Sequence, residues 1–266
     1  MKSLTFTVSK GGVGKSLITA NVGASLAIKG NKVVLIEGDP NQPLQKMLGL
    51  TFSSQNPKLE DIIEMDEEIN KAVYPTAIKN LYLVPSGVSL QSYFDINPIQ
   101  FAHKLSSLET DFMLIDVPFP LGKAAFLSLG ICDYFIPILT EDEFVLCVES
   151  AIDTIRLGKY LLKSTPIGFI LNRIKNTEKF SKEFVKDLED LLEIPCITKI
   201  KEDPKVSKSY GEIGSKKAFL AYYEFQKSEF AKKIDKISSW LISQDLKPKK
   251  KKPEKLLQKL IKPLEF

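Results

Sequence analysis

Six short runs of this chain are dominated by apolar residues: LTFTVS (4–9), KVVLIE (32–37), LYLVPS (81–86), FMLIDV (112–117), YFIPIL (134–139) and IGFILN (167–172). Runs of this length, bounded by turn residues, read as strands buried on both faces. Between them, residues 15–29, 89–106, 142–163, 178–192 and 216–242 have the apolar spacing of helices. Strands that alternate with helices must be joined by crossovers, so the pattern requires a mostly parallel, twisted sheet with helices on both faces. The fold class is therefore α/β, in one domain over residues 1–244. In such a sheet a ligand sits at the carboxyl ends of the strands. Residues 51–80, with Ser, Asn and Pro among short helical patterns, read as a surface excursion.

Composition narrows the function classes. Residues 247–266 hold eight lysines against two glutamates, or +6, while the whole chain carries +4. The first 246 residues are thus at −2, and the asymmetry implies a partner for the tail, not a body coated for nucleic acid. No apolar run approaches the roughly 18 residues that a membrane-spanning helix needs, and the N-terminus enters a strand without a secretory pattern. Cys132, Cys147 and Cys196 form no C-x-x-C pair and read as small hydrophobes in a reducing compartment. The single histidine, His103, argues against a histidine-rich metal site or a Ser-His-Asp triad and reads as structural. A cytoplasmic location is expected.

The first strand runs directly into SKGGVGKS (9–16), and a helix follows. Gly11, Gly12 and Gly14 let the backbone turn tightly, so that successive N–H groups face phosphate oxygens. The helix N-terminus adds partial positive charge. Lys15 is expected to reach the β- and γ-phosphates, and the Ser16 hydroxyl to ligate Mg²⁺.

SKGGVGKS resembles the deviant Walker A motif, K-G-G-x-G-K-[ST], of the ParA/MinD ATPases and their nitrogenase-iron-protein relatives. The resemblance implies a P-loop ATPase that binds ATP and Mg²⁺, with Gly11, Gly12, Val13, Gly14, Lys15, Ser16 and Leu17 around the nucleotide. It also implies a homodimer that clamps two nucleotides face to face, with Lys10 reaching the partner's ATP. A lysine placed too early to hold its own phosphate can neutralise charge where two polyanions meet, as an arginine finger does in trans.

Further matches keep the family's order and extend the resemblance to about residue 241. In LIEGDPNQPL (35–44), Asp39 matches the acid that orients the attacking water and senses the γ-phosphate. Glu37 stands where many members have Asp, and is expected to modulate the Mg²⁺ water shell. Asp116 ends an otherwise apolar strand and resembles the Walker B carboxylate, so the metal set is Ser16, Asp39 and Asp116. VPFPLG (117–122) resembles the D-x-P-P-G switch, with Phe119 between the prolines. Asn172 matches the position whose amide reads adenine. Arg173, Glu202 and Asp203, the last two within IKEDPKV (200–206), complete the cofactor contacts that the resemblance implies. The catalytic set is Lys10, Lys15 and Asp39.

Residues 245–253, DLKPKKKKP, form an extended Lys/Pro linker. In PEKLLQKLIKPLEF (253–266), Leu256, Leu257, Leu260, Ile261 and Leu264 fall within roughly 140° of a helical wheel, with Lys255, Lys259 and Lys262 opposite. A short helix of this kind folds at an anionic membrane surface and resembles the targeting sequence of MinD-type proteins. Two other readings stay open: the tail folds back on the body, or it binds nucleic acid or a protein. The leading expectation is a MinD-like switch, dimeric with ATP, peripherally and reversibly bound to membrane, and stimulated by a protein partner. The alternative is a ParA-like partition ATPase whose dimer binds DNA non-specifically.

Overall fold

The structure is a computed structural model that describes residues 1–7, 11–65, 67–87, 98–116, 128–206, 220, 222 and 226–248. Its centre is a nine-stranded sheet made of β1 (Lys2–Thr7), β2 (Val33–Glu37), β3 (Tyr74–Pro75), β4 (Leu81–Val84), β5 (Phe112–Asp116), β6 (Tyr134–Thr140), β7 (Thr165–Pro166), β8 (Phe169–Ile174) and β9 (Cys196–Lys201). The order is β3-β4-β2-β5-β1-β6-β8-β9, with β7 paired to the start of β6. All pairings are parallel except β3 with β4. β1 is central, so the loop that follows it leaves from the middle of the sheet's carboxyl edge.

The described helices are α1 (Lys15–Ile28), α2 (Pro43–Met47), α3 (Leu59–Glu64), α4 (Pro98–Ser106), α5 (Phe144–Arg156), α6 (Lys182–Leu192) and α7 (Glu229–Ser243). α5 continues into a π-helical segment, Leu157–Leu162. One face of the sheet packs under α1 and α7 through residues such as Leu4, Leu35, Leu114, Ile136 and Ile234. The other face is covered in two groups, by α3 and α4 over β2 and β5, and by α5 and α6 over β6 and β8. Full burial of each Leu, Ile or Phe side chain contributes about 1.5–3 kcal/mol.

α1 is enclosed on nearly all sides, which explains its lack of an amphipathic stripe. Gly23 permits its close approach to β2, because a Cβ there would lie 2.7 Å from Leu35 Cδ2. Polar contacts fix α7 across α1: Ser25 Oγ and Ser238 Oγ are 2.6 Å apart, and Lys29 Nζ meets Asp235 Oδ1 at 2.7 Å.

The observed elements correct several expectations. The closing helix expected over 216–242 begins at Glu229, because the Ser228 side chain accepts the N–H of Ala231 at 3.0 Å and caps it. Residues 51–80 are more than a surface excursion. Leu59, Ile62, Ile69 and Ala72 are buried against Val34, Ile36 and Met113. β9 was absent from the expected strands and flanks β8. Residues 117–127 and 249–266, with the VPFPLG switch and the tail helix, lie outside the described residues, as does Lys10.

Candidate functional site

β1 delivers the chain to the loop, and the loop's backbone explains its glycines. Gly12 and Gly14 have φ of 77° and 90°, in the left-handed region that favours glycine. At Gly14 an added Cβ would also lie 2.8 Å from Asn172 Nδ2. Gly14 is the N-cap of α1, its carbonyl accepts the N–H of Ile18 at 2.9 Å, and no side chain caps the helix. The N–H groups of the first turn have no intrahelical acceptor, and α1 carries no acid there. The end of the helix therefore favours an anion.

Lys15 follows the cap and is buried, with its Nζ paired to Asp116 Oδ1. Asp116 is the last residue of β5 and is fully buried, and its Oδ2 has no hydrogen-bond partner among the described residues. The sequence assigns Lys15 to phosphate. In this structure it neutralises Asp116, because an unpaired buried carboxylate is costly.

Glu37 ends β2 and is in register with Asp116 across the β2–β5 pair. Its Oε1 accepts the N–H groups of Leu44 at 2.6 Å and Gln45 at 3.1 Å, so Glu37 caps α2. Its Oε2 is buried without a partner among the described residues. Burial is the largest cause that raises its pKa, from 4.5 to about 8; the two backbone N–H groups oppose the rise, and the Asp116 and Asp39 carboxylates add to it. The carboxyl expected near the Mg²⁺ water shell is thus largely protonated at neutral pH, with one oxygen spent on a helix N-terminus.

Asp39 stands in the loop between β2 and α2. Its Oδ1 accepts the backbone N–H of Asn41 at 2.9 Å and the Asn41 amide at 3.0 Å. Its carbonyl accepts the hydroxyl of Ser86 at 2.8 Å, and the Gly38 N–H donates to the Asp116 carbonyl at 2.6 Å. These contacts tie the Asp39 loop to the ends of β4 and β5.

The opposite wall comes from β8 and β9. Asn172 is buried, and its Nδ2 donates to the Val13 carbonyl at 2.7 Å. Arg173, with φ of 54°, donates from Nη1 to the Gly12 carbonyl at 3.0 Å. Its Nε and Nη2 lie 3.3 and 3.1 Å from Glu202 Oε1. The amide that the resemblance assigns to adenine is thus engaged with the phosphate loop. Asp203 Oδ1 accepts the Lys205 N–H at 2.9 Å.

A cavity of about 480 Å³ opens among these groups and is lined by Gly11–Leu17, Asp39, Asn172, Arg173, Glu202 and Asp203. Every described nucleotide-site candidate therefore borders it except Asp116, which pairs with Lys15, and Glu37, which is buried beside it in register. The lining also includes Ile200, Lys201 and Val206 of the IKEDPKV stretch, and Asn41, Pro43 and Phe230, which were not expected. The polar run after Asp39 could have signalled Asn41. Nothing local marks Phe230, which α7 brings from the far end of the chain.

The residues suit a magnesium nucleotide. The uncapped helix start, Lys15 and the loop glycines fit polyphosphate, and the orphaned Asp116 Oδ2 sits where a cation could use it. Among the described residues no three His, Cys, Asp or Glu side chains cluster as a metal site. Mg²⁺ held by a hydroxyl, phosphate oxygens and water needs no such cluster. Burial pushes the Cys196 thiol up to about 11, which disfavours the reactive thiolate.

Residues 4–214 match the family described as the CobQ/CobB/MinD/ParA nucleotide-binding domain. An uncharacterized ATP-binding protein of Methanocaldococcus jannaschii is 38% identical over 241 residues, which cover 89% of this chain and 87% of that protein. The septum site-determining protein MinD of Synechocystis is 30% identical over 76% of this chain and 77% of its own length. The chromosome-partitioning ATPase Soj of Treponema pallidum is 29% identical over 70% and 77%. Among solved structures, MinD from Pyrococcus horikoshii complexed with Mg-ADP superposes with a TM-score of 0.73 at 24% identity, covering 91% of this chain and 96% of that one. That likeness concerns the fold.

Proposed function

Because the chain belongs to the CobQ/CobB/MinD/ParA nucleotide-binding family, we propose that it is an ATP-hydrolysing switch of the MinD kind. The observation that carries the reading is the uncapped start of α1 beside Lys15, Asp39 and Asp116 at one end of the sheet. The first-turn N–H groups and Lys15 hold the phosphates of ATP, and Lys15 leaves Asp116 to do so. Ser16, Asp39 and Asp116 hold Mg²⁺, which neutralises phosphate charge when bound. Asp39 orients the attacking water, and its Asn41 and Ser86 contacts fix the loop that carries it. Arg173 and Glu202 border the cavity, and in this reading they flank the base.

Lys10 donates its charge to a second protomer's nucleotide, so that two chains associate when both hold ATP. The tail then supplies two weak membrane contacts per dimer, and avidity links membrane residence to the nucleotide. Hydrolysis, accelerated by a protein partner, releases the monomers. Phosphate release by wild type, Lys15→Ala and Asp39→Ala tests the chemistry. Hydrolysis that persists undiminished in Lys15→Ala would remove this site from the reaction.

The likeness to Soj keeps a second reading in play, in which the ATP-bound dimer binds DNA. That reading requires ATP-dependent DNA binding by the full chain that weakens steeply with salt.

A further inference from the structure

The end of the sheet where the strands begin, away from the nucleotide cavity, carries a second surface. α5 descends from the cavity end, and its π-helical extension Leu157–Leu162 leads into β7, which pairs with Tyr134 and Phe135 at the start of β6. π-helical turns are rare and tend to mark functional sites. This one leaves Tyr160 75% and Leu161 46% exposed. Its sequence context, RLGKYLLK (156–163), contains three cations and no acid. Arg156 and Lys163 are exposed, while Lys159 Nζ meets Glu193 Oε2 at 3.1 Å and draws in the end of α6, where Leu191 is 56% exposed.

The root of the basic tail is fixed at the same end. The Tyr134 hydroxyl donates to the Lys247 carbonyl at 2.8 Å, and Leu246 packs against the core. In β7, Thr165 is the register partner of Tyr134 and lies two residues beyond Lys163. Lys247, the first lysine of the tail, therefore lies at the end of the sheet that presents Tyr160 and Leu161.

We propose that Tyr160 and Leu161, flanked by Arg156 and Lys163, form a second contact with an anionic membrane surface beside the tail. This rests on the membrane reading given above. An amphipathic tyrosine and a leucine insert at the headgroup boundary, while guanidinium and ammonium groups pair with lipid phosphates. Charge argues against the tail as occupant, because the tail is itself strongly basic. The contact gives a single protomer two linked attachments, which raises its membrane residence by effective concentration.

Co-sedimentation of the full chain, with ATP, on phosphatidylglycerol–phosphatidylcholine vesicles tests this. Tyr160→Ser/Leu161→Ser should lower the partition coefficient about tenfold, the scale expected for two apolar side chains that no longer insert. Arg156→Gln/Lys163→Gln should lower it on these vesicles and not change the weak binding to pure phosphatidylcholine. ATP hydrolysis without vesicles should be unchanged in both. If wild type sediments with the vesicles and both variants do so equally well, the second contact is wrong while the tail reading stands. Tighter binding by Tyr160→Ser/Leu161→Ser would show that the patch shelters the tail instead, and would also overturn it. A wild type that binds neither vesicle removes the membrane reading itself.

Discussion

Asn172 and Val13 are 159 positions apart in the chain, and the Asn172 amide donates to the Val13 carbonyl at 2.7 Å. With Arg173 on the Gly12 carbonyl, the bond draws two loop carbonyls toward β8. The end of β9, through Glu202, and the phosphate loop are thereby braced through one strand end. Asn172→Ala leaves the buried Val13 carbonyl without its donor, and should cost about 1–3 kcal/mol of stability. It should also weaken ATP binding about tenfold. Thermal melting with calorimetric titration of ATP checks both. An unchanged ATP affinity would mean that the brace does not shape the loop.

Lys15 and Asp116 form a buried pair. Lys15→Ala strands the Asp116 carboxylate and should destabilise the protein by about 3–5 kcal/mol. Asp116→Asn in the same chain should restore much of that loss, since no charge is then left unpaired. Neither variant should hydrolyse ATP. Urea unfolding of the two single variants and the double variant measures the coupling, and strictly additive effects would contradict a direct pair.

Glu37 gives the fold a pH dependence. Its carboxyl rises from 4.5 to about 8 on folding, chiefly because it is buried. Folding thus favours the protonated form. That stabilisation is complete below about pH 4.5 and is lost as pH climbs through 8, at up to about 1.4 kcal/mol per unit. Without nucleotide or Mg²⁺, wild type should lose melting temperature between pH 5 and 8 more steeply than Glu37→Gln. Parallel curves for the two proteins would argue against a neutral Glu37.

Shortening the same side chain is informative. Glu37→Asp removes the methylene that lets Oε1 meet the N–H groups of Leu44 and Gln45. Loss of that cap should cost about 1 kcal/mol. Because α2 anchors the loop that bears Asp39, kcat should fall more than ATP affinity. A kcat equal to wild type would separate the cap from the chemistry.

Much of the fold was legible because strands buried on both faces must be apolar throughout. Thus β2, β4, β5 and β6 start within one residue of their expected positions. β9 escaped because CITKIK mixes buried and exposed positions without a long apolar run. Residues 51–80 misled because their apolar residues are scattered, yet Leu59, Ile62 and Ile69 still reach the core. The site's members were legible where chemistry is unusual, such as an acid ending an apolar strand or three glycines before Lys-Ser. Their pairings were not. Lys15 with Asp116 and Arg173 with Glu202 depend on strand order, which sequence periodicity does not encode. The Glu37 contacts to α2 were not legible, because that reach depends on where the helix begins.

In the proposed switch, ATP joins two protomers through Lys10. Light scattering behind gel filtration, on Asp39→Ala to slow turnover, measures it directly with ATP, with ADP and without nucleotide. Asp39→Ala should show twice the protomer mass with ATP alone, and a single protomer mass in every condition once Lys10→Ala is added, with ATP still bound. A single protomer mass for Asp39→Ala saturated with ATP, or an undiminished dimer after Lys10→Ala, would contradict it.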